Sequence, residues 1–404
     1  MKNRIHEIRI PIIILSFVLL INLFSYKFNN SYTNKDMAIS TIALVHPDKT
    51  EITKVIQNIY NDRCSMFITN NLINLPNYYD TSQNLGKWSL KHEVKRFSYF
   101  NDWSVGRGMN FIKVESTPKV RKISSTNRGL VLLVDEYYKF QYTYKNDITR
   151  TTNMFGVGLT HCVELIKKEE KWIIYSDWYL DCFEDALKSY SGEIKDLKID
   201  AVKAPIYKLQ TCPKIPSEFK IITKGRYNRV NAVKYADKYC GIPWSSGSST
   251  KYNKKYTNYT GDGGNCTNYV SQSIGDIEGG GLRFDDTWHC TYKKYDGADG
   301  SLAWVNADAF KQYLIYSGRG KVIGKGTFKE LISPIPGYPC GAIQKIGDLI
   351  CYAKGSDIDH FAIVTGFDSH GYPLVNTHTI DRYHVPWDLG WGDKNINFYL
   401  IHLK

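Results

Sequence analysis

The chain has 404 residues, 43% of them hydrophobic and 23% charged, a length at which one core usually gives way to two and a composition compatible with folded protein. Its formal net charge of +12 favours anionic surroundings. The sequence nevertheless lacks zinc-knuckle spacing, the aromatic RNA-binding signature and a dense arginine stripe, so no nucleic-acid partner is expected.

At the N-terminus, Lys2, Arg4 and Arg9 precede an uncharged apolar run from Ile10 to Phe24. The run is shorter than the ~20 residues of an ordinary spanning helix, and it lacks the polar face of a core helix. Ser25, Tyr26, Lys27 and Phe28 offer no small-x-small cleavage site. Residues 1–38 therefore read as an export signal or an uncleaved membrane anchor with its tether. The remainder is expected outside the cytoplasm, membrane-anchored or secreted. Nine cysteines in such a chain show no closely paired framework, and an odd number cannot all pair internally. Cys64, Cys162, Cys182, Cys212, Cys240, Cys290, Cys340 and Cys351 read as buried small hydrophobes, and no disulfide is assigned. Cys340 and Cys351 are the nearest couple.

Residues 39–195 read as a first folded unit. Ile52, Val55, Ile56, Ile59 and Tyr60 recur at helical spacing within 47–69, and Leu90, Val94, Phe97 and Phe100 would line a second helix over 89–103. From Met109 the pattern turns to strands, with β-branched and aromatic runs over 129–144, 156–167 and 171–180. Helices followed by a long antiparallel sheet make an α+β layout. This order resembles the cone-shaped domains called NTF2-like, which can hold a ligand or a catalytic carboxylate. Asp135, Glu136 and Asp177 qualify by residue type alone; they are read as solvated strand faces, and no chemistry is assigned to them. Pro205, Pro213 and Pro216 among polar residues mark 196–222 as a linker.

The second unit, 223–404, carries the chemistry. A helix beginning near Tyr227 presents Val230, Val233, Tyr235, Ala236 and Tyr239 on one side. After a Gly- and Ser-rich loop comes Gly261, Asp262, Gly263, Gly264, Asn265, Cys266, Thr267, Asn268, Tyr269, Val270, Ser271, Gln272. Glycines followed by Cys and a short helical run put that sulfur at a helix N-terminus. There the free N–H groups and the dipole stabilise a thiolate. A thiol near pKa ~8.5 also needs a base. His360 is the candidate, where the loop 355–359 enters the apolar run Phe361 to Thr365, with a preceding strand at 346–352 as antiparallel neighbour. A turn at 368–371 returns the chain as the strand 372–379, bringing Asn376 to Thr379 beside His360. Asn376 or His378 would accept from the ring and fix its tautomer, and strand periodicity puts both on one face. No metal site is expected: His378 and His384 lack a further ligand at suitable spacing. No cofactor motif is present.

These residues resemble the putative amidase domain family of exported bacterial proteins, grouped with NlpC/P60 and CHAP-like papain-fold hydrolases. The likeness runs through Tyr227, Arg229, Ala232, Tyr235 and Ala236, then Gly264 to Gln272, Trp288, Trp304, Phe310, Leu314, Gly347, Asp348, Asp359, His360, Ala362 to Thr365, His378 and Thr379. It implies a papain-like fold, with Cys266 on a helix N-terminus packed on an antiparallel sheet. It further implies Cys266 as nucleophile, His360 as base and His378 as the third residue, from its position before Thr379. The Cys266 N–H is expected to stabilise the oxyanion with help from Asn265 or Asn268; Asp262 is near but, as an anion, cannot donate. Trp288 and His289 read as core packing, with a substrate cleft as the weaker reading. The function implied is a cysteine amidase or peptidase that hydrolyses extracellular amides, peptides of the cell wall among them, through a thioester made by a Cys266 thiolate paired with protonated His360. A membrane-tethered binding protein without activity and a cysteine acyltransferase are the alternatives. Oligomeric state cannot be read.

Overall fold

The computed structural model describes residues 48–148, 150–189, 227–245, 251–292, 299–332, 345–391 and 396–404. The expected anchor, the whole of the expected linker, Cys212 and Cys340 lie outside them. All the described residues belong to the compact unit Pro47–Lys404. No helix among the described residues is long and apolar enough to cross a membrane.

Helix α1 (Lys49–Thr69) starts where the Asp48 side chain accepts from Thr50 N, and it ends on Asn70 in the left-handed conformation. It buries Ile52, Ile56, Ile59 and Tyr60. Helix α2 (Asn84–Gly106) buries Leu90, Val94, Phe97 and Phe100, the stripe its spacing predicts. Four antiparallel strands follow, β1 (Met109–Ser125), β2 (Leu130–Tyr144), β3 (Asn153–Lys168) and β4 (Lys171–Tyr179), then the short α3 (Glu184–Ser189).

The second half comprises α4 (Arg229–Tyr239), α5 (Cys266–Gly275), α6 (Leu302–Val305), α7 (Ala307–Tyr316), β5 (Gly320–Gly326), α8 (Phe328–Ile332), β6 (Leu349–Lys354), β7 (Asp357–Phe367), β8 (Pro373–Thr377), β9 (Asp381–Pro386) and β10 (Ile396–Leu403). The molecule is α+β around one ten-stranded antiparallel sheet, ordered β1-β2-β3-β9-β8-β7-β6-β10-β5, with β4 on β3. The halves read from sequence as separate units thus share a sheet. The seam is the pairing of Gly156, Val157 and Gly158 with Tyr383, Arg382 and Asp381. Glycine is needed on the β3 side: a Cβ on Gly156 would come within 2.5 Å of the Trp244 ring.

The two faces of the second-half sheet enter different cores. Tyr352, Ala362, Val364 and Trp391 join the core that also holds Phe100, Phe140 and Phe183. Cys351, Phe361 and Ile363 pack with Tyr235, Tyr269 and Trp304 on the helical side.

Asp135, Glu136 and Asp177 correct the sequence reading, for all three are buried. Arg63 reaches Glu93 at 2.8 Å and Asp177 at 3.3 Å, while His161 bonds Asp177 at 2.8 Å through Nδ1 and lies 3.1 Å from Glu136 through Nε2. Buried charge is tolerated when it is paired. Strand alternation cannot reveal those partners, because Arg63 arrives from α1. Burial by itself would discharge His161, but Asp177 and Glu136 outweigh it and raise the imidazole to about 9.

Candidate active site

Cys266 is the first residue of α5, as the glycine-rich approach predicts. Gly263 (φ 100°) and Gly264 (φ 125°) both lie in the left-handed region. The N-cap residue Asn265 makes no side-chain capping bond. Its Oδ1 instead accepts from Tyr259 N (3.1 Å) and Asn268 Nδ2 (2.8 Å), and its Nδ2 donates to His378 Nδ1 at 2.8 Å. The first-turn N–H groups of α5 are therefore left without a side-chain cap beside the sulfur. Burial pushes the Cys266 thiol up; the Phe361 N–H and the Thr267 and Thr379 hydroxyls act against that rise. Thr267 Oγ1 lies 3.8 Å from Sγ.

His360 lies within β7 rather than at its entrance, paired with Tyr352 across the β6 ladder. Its ring sits between Tyr352 and Trp391, with centroids at 5.8 and 5.2 Å. Both neighbours belong to the core away from α5. Nε2 meets Thr377 Oγ1 at 2.8 Å, and that hydroxyl donates to Phe361 O at 2.7 Å. A hydroxyl has one proton. With it committed to Phe361 O, His360 Nε2–H must be the donor, which leaves Nδ1 with its lone pair. Burial holds this imidazole well below its usual range, and the Arg382 and Lys354 charges add to the effect.

The two expected third residues do share a face, but it is the other one. His378 Nε2 donates to Tyr239 O at 2.6 Å, and its ring stacks on Tyr269 of α5 at 3.8 Å. With both nitrogens engaged, burial lowers His378 to about 4. Asn376 donates to Asp237 Oδ1 at 2.8 Å and accepts from Thr365 Oγ1 at 3.0 Å and His384 N at 2.7 Å. Neither contacts the His360 ring. Thr377, midway between them, does so, because period-2 alternation gives it the opposite parity. Among the described residues no hydrogen bond joins Sγ to either imidazole; the sulfur meets the backbone of Phe361, the residue after His360. A register shift between Tyr352 and Ala353 leaves Asp359 bulged just before His360.

The remaining candidates are spent elsewhere. Asn268 donates to Thr257 O at 2.9 Å and accepts from Trp304 Nε1 at 2.8 Å. Asp262 is exposed in the turn before the helix. Trp288 is fully buried and donates to Ser271 Oγ at 3.1 Å, so core packing accounts for it. His289 is half-buried against Asp285 O at 3.1 Å. Among the described residues, no three His, Cys, Asp or Glu side chains gather as a metal-ligand set.

Residues 226–401 match the family described as "Putative amidase domain", which accounts for the segment that holds Cys266, His360, Thr377 and His378. The chain is similar to the uncharacterized protein YhbB of Bacillus subtilis (strain 168), 29% identical over 187 residues, covering 44% of this chain and 50% of that protein. It is also similar to the uncharacterized protein YjcM of the same strain, 31% identical over 160 residues, covering 40% of this chain and 32% of that protein. The chain therefore spans half or less of these relatives. Among solved structures, the intermembrane space region of the chloroplast protein ARC6 aligns at 12% identity with a TM-score of 0.22, covering 32% of this chain and 95% of that one.

Proposed function

We propose that the chain is a cysteine-dependent amidase that hydrolyses extracytoplasmic peptide amides, those of the cell wall among them, with Cys266 as nucleophile and His360 as base. The observation that carries the reading is Cys266 at the uncapped start of α5, inside the segment that matches the putative amidase domain. His360 is favoured as base because its Nδ1 keeps a lone pair, whereas both nitrogens of His378 are engaged. The raised thiol and the depressed imidazole favour a neutral pair at rest over the thiolate–imidazolium pair expected from sequence.

In this reading Sγ attacks the amide carbonyl as His360 Nδ1 takes the thiol proton. The C–N bond then breaks, and His360 returns that proton to the departing amine. Water, activated by the same imidazole, opens the thioester to release the acid and restore the thiol. His360 must first turn to the face of α5. The bulge at Asp359 supplies a means, since moving a bulge by one residue inverts which face the next side chain takes.

A second reading makes His378 the base, favoured by its position on the sulfur's own face of the sheet. Purified wall and synthetic peptide amides assayed with Cys266→Ala, His360→Ala and His378→Ala separate the two. The first reading expects losses of about 10³-fold or more from Cys266→Ala and His360→Ala. A larger loss from His378→Ala than from His360→Ala transfers the role, and wild-type turnover by Cys266→Ala ends both.

A further inference from the structure

Thr379 combines an unusual backbone with an unusual position. It is β-branched, yet its φ is 77°. A β-branched residue in the left-handed region is an outlier that costs on the order of 1–3 kcal/mol and persists only where its surroundings impose it. The turn between β8 and β9 that holds it delivers its side chain to the start of α5. There Oγ1 accepts from Asn265 N at 2.9 Å, and it would lie 3.1 Å from a Cβ placed on Gly264. The strain and the glycine approach thus converge on one hydroxyl beside Cys266.

That hydroxyl has one proton and two lone pairs. The Asn265 N–H occupies a lone pair, so the proton is left to point elsewhere, and the Cys266 sulfur is within its influence. Of the side chains expected to donate here, Asn268 Nδ2 gives both its protons to Thr257 O and Asn265 Oδ1, and Asn265 Nδ2 gives one of its two to His378 Nδ1. The Thr377 proton is committed to Phe361 O, at the base of His360.

We propose that the Thr379 hydroxyl is the side-chain donor of this site, directed first at the Cys266 sulfur as it becomes anionic and then at the oxyanion of the tetrahedral adduct beside the Cys266 N–H. The assignment rests on the cysteine-amidase reading for its second step and, for its first, on the seat of the hydroxyl against Asn265 N and Gly264 at the start of α5. The hydroxyl makes and breaks no covalent bond, and its proton stays on oxygen throughout.

The test uses the full chain with Thr379→Val and Thr379→Ser. Iodoacetamide alkylation of Cys266 is followed across pH by peptide mass mapping, in parallel with turnover of a peptide amide. Thr379→Val is expected to move the alkylation midpoint to higher pH and to slow turnover by about 10²–10³-fold, the usual loss of one oxyanion donor. Thr379→Ser, which keeps the hydroxyl and relieves the branching, is expected to restore both. A wild-type midpoint and rate in Thr379→Val overturns the proposal, as does a Thr379→Ser variant equally impaired, since shape alone would then explain the residue. Should Thr379→Val fail to fold by circular dichroism, Thr379→Ser against Thr379→Ala makes the same comparison. The alkylation arm needs no hydrolysis. Wild-type turnover by Cys266→Ala would therefore remove the amidase reading while a shifted midpoint still registered the hydroxyl at the sulfur.

Discussion

Two imidazoles in this chain are driven in opposite directions by their surroundings, and both have measurable consequences. His360 is desolvated beside Arg382 and Lys354, so it is neutral at physiological pH and competent to accept a proton. Activity is lost only where it protonates, well below 6.5. We expect kcat/KM to stay level as pH falls from 8 through 6.5; an acid limb centred at or above 6.5 would falsify this assignment of the base. His161 is the converse. Its folded pKa is raised to about 9, so the stability it contributes is complete below its unfolded value near 6.5 and is lost as pH rises through 9. Glu136 and Asp177 are depressed, and their contribution is lost instead as pH falls toward 4 and below. Thermal melts from pH 6 to 10 should show a decline in the wild type that is absent from His161→Gln. Parallel slopes for the two proteins would contradict the pairing.

At the scale of elements, α5 and its approach were legible in the sequence because the signals are local: two glycines, a cysteine and an apolar helical run need no knowledge of the rest of the chain. The β7–β8 hairpin was legible as a hairpin and as a shared face for Asn376 and His378, but not in its parity relative to His360. That parity depends on bulges, one at Asp359 and others in the β7–β8 and β8–β9 ladders, and a bulge leaves little mark on composition. Thr377 was missed for this reason alone. The buried carboxylates of the first half were misread because their counter-charges, Arg63 and His161 for Asp177 and Glu136, and Arg121 for Asp135, come from other elements. For α5 itself, Gly264→Ala is expected to cost about 1–3 kcal/mol, since alanine must adopt a φ of 125° and meet Thr379 Oγ1 at 3.1 Å. An unchanged midpoint in urea denaturation would show that the turn can relax without Thr379.

At the scale of the whole molecule, the halves are fastened by buried acids of the second half. Asp388 accepts from Trp103 Nε1 at 2.9 Å, Arg107 Nε at 3.1 Å and Tyr372 OH at 2.6 Å. Asp368 accepts from Tyr142 OH at 2.9 Å and Tyr144 OH at 2.6 Å. Replacing Asp388 by Asn breaks its buried pair with Arg107, and a loss of about 3–5 kcal/mol is expected, the usual cost of breaking such a pair. The loss should appear as one earlier transition reported by probes in both halves; two separated transitions would show that the halves unfold independently. The sequence could not foretell this union, because the partners that meet across the two halves lie more than 200 positions apart.

The three-residue pairing of β3 with β9 also decides what β9 would be by itself. Without β3, the backbone of β9 along that flank would face outward as an open strand border, one strand away from Thr377. Such a border recruits other chains. The first half thus acts as a seal on the sheet beside the site, and without it that flank would need some other protection, a covering element or charges and bulges along its own edge.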